Sequence, residues 1–326
     1  MKVLLNELQE LVDKALHNQG FSKKEAKVVS GILMYAQLRG NNQGIVKLIG
    51  KGIPQREVAK PPKTVKETPV SALVDGNKTH AMLVMDSVTD IAIKKAKKSG
   101  IGITGNFNTD ESTGALGYYV KKIADKGLIG IAYASAPFQT TAPHGSTQAL
   151  FCTNPMAYGI PTETDPIILD MSTSAMAYYG LIESKTAGKK VSNDIGDNSK
   201  GKPTTDPAEI MSGALRAFGG HKGSGLALIV QVFAGALVQA ESFNSDSDNA
   251  GNLVIAIDPN ILTPKKKFTK EVSSIVKRMK SGKKLSGVSE ILFPGERGNK
   301  FNAKVMKEKK IEIEDNLLEE LKKVAA

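Results

Sequence analysis

Apolar residues recur at helical spacing from the start of the chain. Leu4, Leu5, Leu8, Leu11, Val12, Ala15 and Leu16 form one stripe, which predicts an amphipathic helix that Gly20 ends. Ser22 and Glu25 have the spacing of a capping box, which predicts a second helix running to about Leu38. Residues 40–44 (Gly-Asn-Asn-Gln-Gly) break it, and 45–49 form a short amphipathic piece. Residues 60–69 carry three prolines among lysines and read as a linker. The period then changes. Strand signals at 70–74, 101–104, 128–133, 156–160 and 166–170 alternate with helical stretches at 82–98 and 115–125. A helix over 226–240, a strand at 251–257, a helix at 271–279 and a last helix ending at 326 follow. Residues 188–207 are polar and aperiodic, so they read as a long loop and a candidate lid. This alternation predicts an α/β fold of packed layers, without internal repeats.

Composition narrows the class. With 40% hydrophobic and 24% charged residues and no Trp, the chain reads as a soluble globular protein. Its single cysteine, Cys152, excludes an internal disulfide and fits a reducing compartment; the apolar neighbours at 149–153 suggest a small buried side chain. The N-terminus is amphipathic and carries early acids, unlike a signal peptide, and no apolar run approaches the ~18–20 residues of a membrane span. A cytoplasmic location follows as the expectation. The net charge of +11 raises nucleic acid as a partner, but the excess is lysine scattered along the chain. Arginine occurs only at 39, 56, 216, 278 and 297, and aromatics make up 5%. Readers of nucleic acid bring arginine forks and stacking rings, so the charge is read as a solvated surface.

Several stretches can carry chemistry. Residues 218–225 (Phe-Gly-Gly-His-Lys-Gly-Ser-Gly) place His221 and Lys222 among glycines just before a helical run. Free N–H groups, a helix dipole and an ammonium make an anion site there, and a flexible connector reads equally well. Asp170 ends an apolar strand and is followed by Met171, Ser172, Thr173 and Ser174, which can cap a helix or offer hydroxyls to a phosphate. Thr153 and Asn154 precede Pro155 in a turn that can reach into a site, and His144 lies in a tight Pro-His-Gly loop. His17 and His80 show no acid partner and receive no role; a metal site is not expected from four scattered histidines. Residues 100–105 match G-x-G-x-x-G, but they follow a helix and form a strand themselves, the reverse of the dinucleotide-binding arrangement. No Rossmann fold is inferred.

Taken together, the blocks at 38–44, 114–119, 153–155, 169–174, 203–207, 221–226 and 294–297 resemble the malate/L-lactate dehydrogenase family, oxidoreductases without a Rossmann fold. The resemblance implies reduction of small 2-oxo acids or imines with NADH or NADPH (cofactor NAD or NADP), in a homodimer with the cofactor in a cleft between lobes. It implies cofactor contacts from Asp170, Met171, Ser172, Thr173 and Ser174, from His221 and Lys222, and from Gly295, Glu296 and Arg297, with Thr153 and Asn154 lining the substrate floor. It also implies a helical region over 1–69 packed with the C-terminal segment, an α/β core over 70–240, and a segment over 241–326 returning to the first lobe. The chain departs from the family where histidines are common, at Gln43 and Ser112, and Lys47 stands where an arginine is common; Gly180 replaces a frequent lysine. Glutamine can orient a carbonyl but cannot protonate it, so proton transfer falls to Lys47, His144 or water. Two readings follow. One is an active branch in which Gln43, Lys47, Ser112 and His144 do the catalytic work, with Lys47 neutralising the substrate carboxylate. The other is a weakened member that acts as a nucleotide-binding protein.

Overall fold

The computed structural model describes residues 1–110, 112–242 and 247–326; Glu111, within the polar sequence stretch 106–113, and residues 243–246 lie outside the described residues. The chain opens with β1 (Lys2–Leu4), α1 (Leu5–Asn18) and α2 (Lys23–Gln37), then β2 (Lys63–Glu67), β3 (Ser71–Asp75), α3 (Ala81–Ser99) and β4 (Ile101–Thr109). Next come α4 (Leu116–Ala124), β5 (Ile129–Ser135), β6 (Thr141–Ala142), β7 (Met156–Ile160), β8 (Ile167–Met171), α5 (Tyr178–Thr186) and β9 (Gly196–Asp197). The last third holds α6 (Pro207–Ser212), β10 (Ala214–Arg216), α7 (His221–Ala234) and β11 (Ala250–Ile257). It closes with α8 (Lys265–Lys280), α9 (Glu296–Glu308), β12 (Lys310–Glu312) and α10 (Asp315–Ala325).

Seven strands form the main sheet in the order β2-β3-β4-β11-β5-β7-β8. Only β3 and β4 pair in parallel; every other neighbour is antiparallel. The expected α/β layering holds, with β11, late in the chain, at the centre of the sheet. Helices α3 and α4 cover one face, where Val88, Val120 and Ile123 pack with Ala132, Ala157 and Val254. Helix α7 covers the other, with Val230 and Ala234 against Met156 and Tyr133. Glycines set how closely these layers meet. A Cβ on Gly102 would stand 2.1 Å from the Ala92 carbonyl oxygen, and one on Gly159 would stand 2.2 Å from that of Val120. The G-x-G-x-x-G match is therefore structural: Gly100 caps α3 in the left-handed region (φ 82°), and Gly102 lets α3 lie against β4. The chain ends meet, since β1 pairs with β12 and α1 packs on α10.

Ser22 and Glu25 make the expected capping box. Several stretches differ from the sequence reading. Residues 63–67 are not linker but an exposed edge strand paired with β3, whose lysines oppose pairing with a further strand. The glycine run at 219–225 is not all loop: α7 begins at His221, because Gly223 lies 2.3 Å (Cβ position) from the Phe218 carbonyl and a side chain there would block the turn. That helix ends at Ala234 rather than Ala240. Residues 188–207 are loop as expected, apart from the two-residue β9, and Val191 and Ile195 anchor them by packing with Leu181, Ile210 and Leu215 beside a small sheet, β6-β10-β9. Helix α8 starts at Lys265, earlier than 271, and α9 was not foreseen at all. By length and composition His221–Val238 would suffice to cross a membrane, which the sequence reading missed. In the fold its inner side rests on the sheet, while Leu228, Ile229 and Val232 are exposed.

Candidate active site

A cavity of about 980 Å³ opens along one edge of the main sheet. Its floor takes one end each of β4 (Thr109), β11 (Asn252), β5 (Ala134, Ser135), the turn before β7 (Thr153, Pro155) and β8 (Asp170, Met171). Five adjoining strands make the floor roughly 19 Å long at the usual strand spacing. The walls come from residues 39–43 after α2, residues 112–116 entering α4, Tyr178 and Tyr179 of α5, and Gly295, Arg297 and Asn299.

One end of this cavity is built around Lys47. Gly44 starts the short helical turn that carries it; a Cβ there would stand 2.4 Å from Gln37 Oε1, which instead accepts the Ile45 N–H. Lys47 is only 1% exposed and is not on the cavity wall. Its Nζ donates to Ser112 Oγ at 2.8 Å and lies 3.3 Å from the centre of the Tyr179 ring. Ser112 is on the wall, and its Oγ also accepts the Gly114 N–H at 3.2 Å. With both lone pairs engaged, the Ser112 hydroxyl proton is left to point at a ligand. The turn is held from behind by Tyr119, whose Oη donates to the Thr113 carbonyl at 2.6 Å. Gln43 lines the same end, its backbone N–H held by Asn41 Oδ1 at 2.9 Å.

The other end is marked by Asp170 and two arginines. Gly117, in the first turn of α4, donates its N–H to Asp170 Oδ2 at 2.8 Å. Burial dominates, however, and pushes the Asp170 carboxyl up to about 6, with the Gly117 bond opposing it. Arg39 lies 3.9 Å above the Tyr35 ring, and Gly298 leaves it room; Arg297 stands on the same wall. Two planar cations at one end of a long cleft suit phosphate oxygens.

The remaining residues singled out from sequence fall into two groups. Met171, Ser172, Thr153 and Gly295 line the cavity with Asp170. Thr173, Ser174 and Asn154 are buried and hold the turns in place: Thr173 Oγ1 donates to the Thr153 carbonyl, Ser174 Oγ to that of Met176, and Asn154 Nδ2 to that of Ala227 and to Gln231. Glu296 is off the wall, ion-paired with Lys280 and Lys300. His144, His221 and Lys222 are exposed outside the cavity, with the two imidazole rings 6.1 Å apart. His80, which sequence left without a role, caps α3 by accepting the Met82 N–H at its Nδ1 (3.2 Å). Burial, then the charge of Lys47, pulls it down to about 3, so it stays neutral. Asn252, Ser135, Tyr178 and Lys51 also line the cavity and were not foreseen; only the strand-end position of Ser135 and Asn252 offered a signal.

A nicotinamide dinucleotide fits this outline. The floor is long enough for an extended ligand, arginines stand at one end, and towards the other Asn252 Nδ2 and Ser135 Oγ are buried without hydrogen-bond partners among the described residues.

A sequence model of the malate/L-lactate dehydrogenase family matches residues 3–322, nearly the whole chain. The chain belongs to the malate/L-lactate dehydrogenase family. Among its relatives in that family, the malate/(S)-sulfolactate dehydrogenase of Methanothermus fervidus is 32% identical over 98% of this chain and 96% of its own length. The ureidoglycolate dehydrogenase (NAD(+)) of Escherichia coli is 28% identical over 91% of this chain and 88% of its own. The fold agrees: the crystal structure of malate dehydrogenase from Entamoeba histolytica superposes with a TM-score of 0.90 at 25% identity, covering 100% of this chain and 97% of that one.

Proposed function

We propose that this family member is a cytoplasmic, nicotinamide-dependent dehydrogenase of small 2-hydroxy acids, working with NAD(H) or NADP(H). The observation that carries the reading is the Lys47–Ser112 pair at one end of the cavity. The bound nicotinamide would supply the hydride to the substrate carbon, or take it in the reverse direction. Everything else falls to the chain. Ser112 Oγ donates its proton to the oxygen that gains charge, and Lys47 Nζ, already hydrogen-bonded to that oxygen atom of the serine, replaces it. Gln43 holds the carbonyl by hydrogen bonding, Asp170 and the 171–172 backbone orient the dinucleotide, and Arg39 and Arg297 take its phosphates. Lys47 is buried behind Ser112, so its role here is proton supply rather than direct pairing with a carboxylate. The names of the relatives support a 2-hydroxy acid as substrate.

The test is disappearance of reduced-nicotinamide absorbance with NADH and NADPH across a panel of 2-oxo acids. Turnover is expected with one nucleotide and one class of acid. Ser112→Ala and Lys47→Met should each lower kcat about 10²–10⁴-fold, and the double variant should fall little further, because the two act in one relay. Additive losses would refute the relay, and binding without turnover would leave a nucleotide-binding protein.

A further inference from the structure

Behind the Ser112 end of the cavity, four charged side chains from separate parts of the chain join in one row, with Arg56 at its centre. Arg56 Nε lies 2.7 Å from Asp110 Oδ2 and its Nη1 lies 2.5 Å from Asp248 Oδ2, while Lys78 pairs with Asp248 in turn. One planar guanidinium thus ties the residue that follows β4 to the segment that enters β11, a fork that a lysine's single ammonium lacks. The Arg56 side chain is 40% exposed but that of Asp110 only 8%. Exposed pairs contribute little, whereas a buried carboxylate deprived of its cation is costly, so Asp110 is the member that makes the row necessary. The row itself is off the cavity wall, yet it backs that wall directly. Thr109 precedes Asp110, Ala81 donates its N–H to the Asp110 carbonyl at 2.7 Å, and Ala250 follows Asp248 by two positions; all three line the cavity. Both halves of the Lys47–Ser112 pair are attached to this row. Ser112 stands two positions after Asp110 in the chain. Lys47 is joined to Arg56 through a segment that Gln19 pins. Gln19 Nε2 donates to the Leu48 carbonyl at 3.1 Å, its Oε1 accepts the Ile53 N–H at 2.9 Å, and its carbonyl accepts the Gln55 N–H at 3.0 Å. The 2.8 Å hydrogen bond from Lys47 to Ser112 requires that these two strips of backbone keep their separation.

We propose that Arg56 and Asp110 are positioning residues for the Lys47–Ser112 relay, their ion pair fixing from outside the cavity the distance across which the proton passes. The proposal rests on the relay reading, in which Ser112 Oγ gives its proton to the substrate oxygen and takes one from Lys47 Nζ. A misplacement of about 1 Å at a reacting group costs up to ~10²-fold in rate, so a pair that touches neither substrate nor cofactor still governs turnover. Its loss slows the chemical step and leaves binding intact.

Steady-state kinetics test it in the wild type, Arg56→Ala, Arg56→Lys, Ser112→Ala and the Arg56→Ala/Ser112→Ala double variant. Lys95→Met, which loses an ion pair with Glu67 away from the cavity, serves as the control and should keep the wild-type kcat. Arg56→Ala is expected to lower kcat roughly ten- to a hundredfold, with KM for the 2-oxo acid and Kd for the nucleotide within about twofold of wild type. Guanidinium ion, added below denaturing concentrations, should restore part of the kcat of Arg56→Ala and none of that of Ser112→Ala, because it replaces the missing group beside Asp110. Arg56→Lys should retain more activity than Arg56→Ala. The double variant should be no slower than Ser112→Ala alone, since Arg56 acts through that residue. Wild-type kcat in Arg56→Ala would overturn the proposal, and so would additive losses in the double variant. A loss shared equally by kcat and affinity, reversed by neither guanidinium nor lysine, would mark the pair as structural only. Should Arg56→Ala not fold, Arg56→Lys and Asp248→Asn decide by the same split of kcat against KM. Undiminished kcat in Ser112→Ala would refute the relay, and a wild type without turnover the dehydrogenase reading, each taking the positioning role with it and each visible without any Arg56 variant.

Discussion

Replacing Asp170 by Asn tests the electrostatics of the cavity. The Asp170 carboxyl is raised from the ordinary 3.8 to about 6, first by burial and against the opposing Gly117 N–H bond. Below 3.8 the folded and unfolded chains are both protonated at this group, and it has no effect on stability. As pH rises from 3.8 to about 6 the unfolded chain releases the proton while the folded chain keeps it. The folded state binds more protons there, so stability falls with rising pH and levels off above about 6. At about 1.4 kcal/mol per pH unit, the loss at neutral pH is about 3 kcal/mol at most, an upper figure because the carboxyl stands on the wall of an open cavity. Asparagine keeps the shape and can still accept the Gly117 N–H, but it has no charge to bury. Urea unfolding of both proteins between pH 4 and pH 8 should show curves that converge at the acid end. The variant should gain progressively up to pH 6 and hold a constant advantage beyond. A stability difference that does not vary with pH would show that burial of the Asp170 charge is not what the cavity opposes.

Two further predictions test the fold and the assembly. Gly159→Ala drives a Cβ into the Val120 carbonyl and should destabilise by roughly 1–3 kcal/mol or more in chemical denaturation, whereas Gly225→Ala, with nothing within 4 Å, should stabilise by up to about 1 kcal/mol. Equal effects at the two sites would contradict the close approach of α4 to β7. The exposed apolar residues Leu228, Ile229 and Val232 on α7 support a homodimer that covers them. Light scattering should then report a dimer for the wild type and a monomer for Val232→Lys, and a monomeric wild type would remove that interpretation.

Local rules made much of this fold legible. The stripe from Leu4 to Leu16 and the Ser22–Glu25 box mark α1 and α2 because helical period and capping are properties of neighbouring residues. What neighbours cannot show is what a segment packs against. Residues 63–67 look like linker because their pairing partner, β3, supplies the order. Gly223 looks like a hinge until the Phe218 carbonyl is placed beside it. The site shows the same division. Gln43, Ser112, Thr153 and residues 170–172 stand in motifs and converge on the cavity, while His144, His221 and Lys222 stand in an equally suggestive motif and lie outside it. Asn106 and Asn252 form no motif at all. They are 146 positions apart in the chain, and only the register of β4 with β11 brings them together.

That register also bears on how the protein is made. Strands β4 and β5 are complete once Ser135 has emerged, yet the strand that must sit between them starts at Ala250. At ribosomal speeds of about 5–20 residues per second, roughly 6 to 23 seconds pass with the two flanking strands lacking their shared partner. Through that interval the nascent chain offers open strand edges to any neighbour on the same message, and only arrival of β11 closes them.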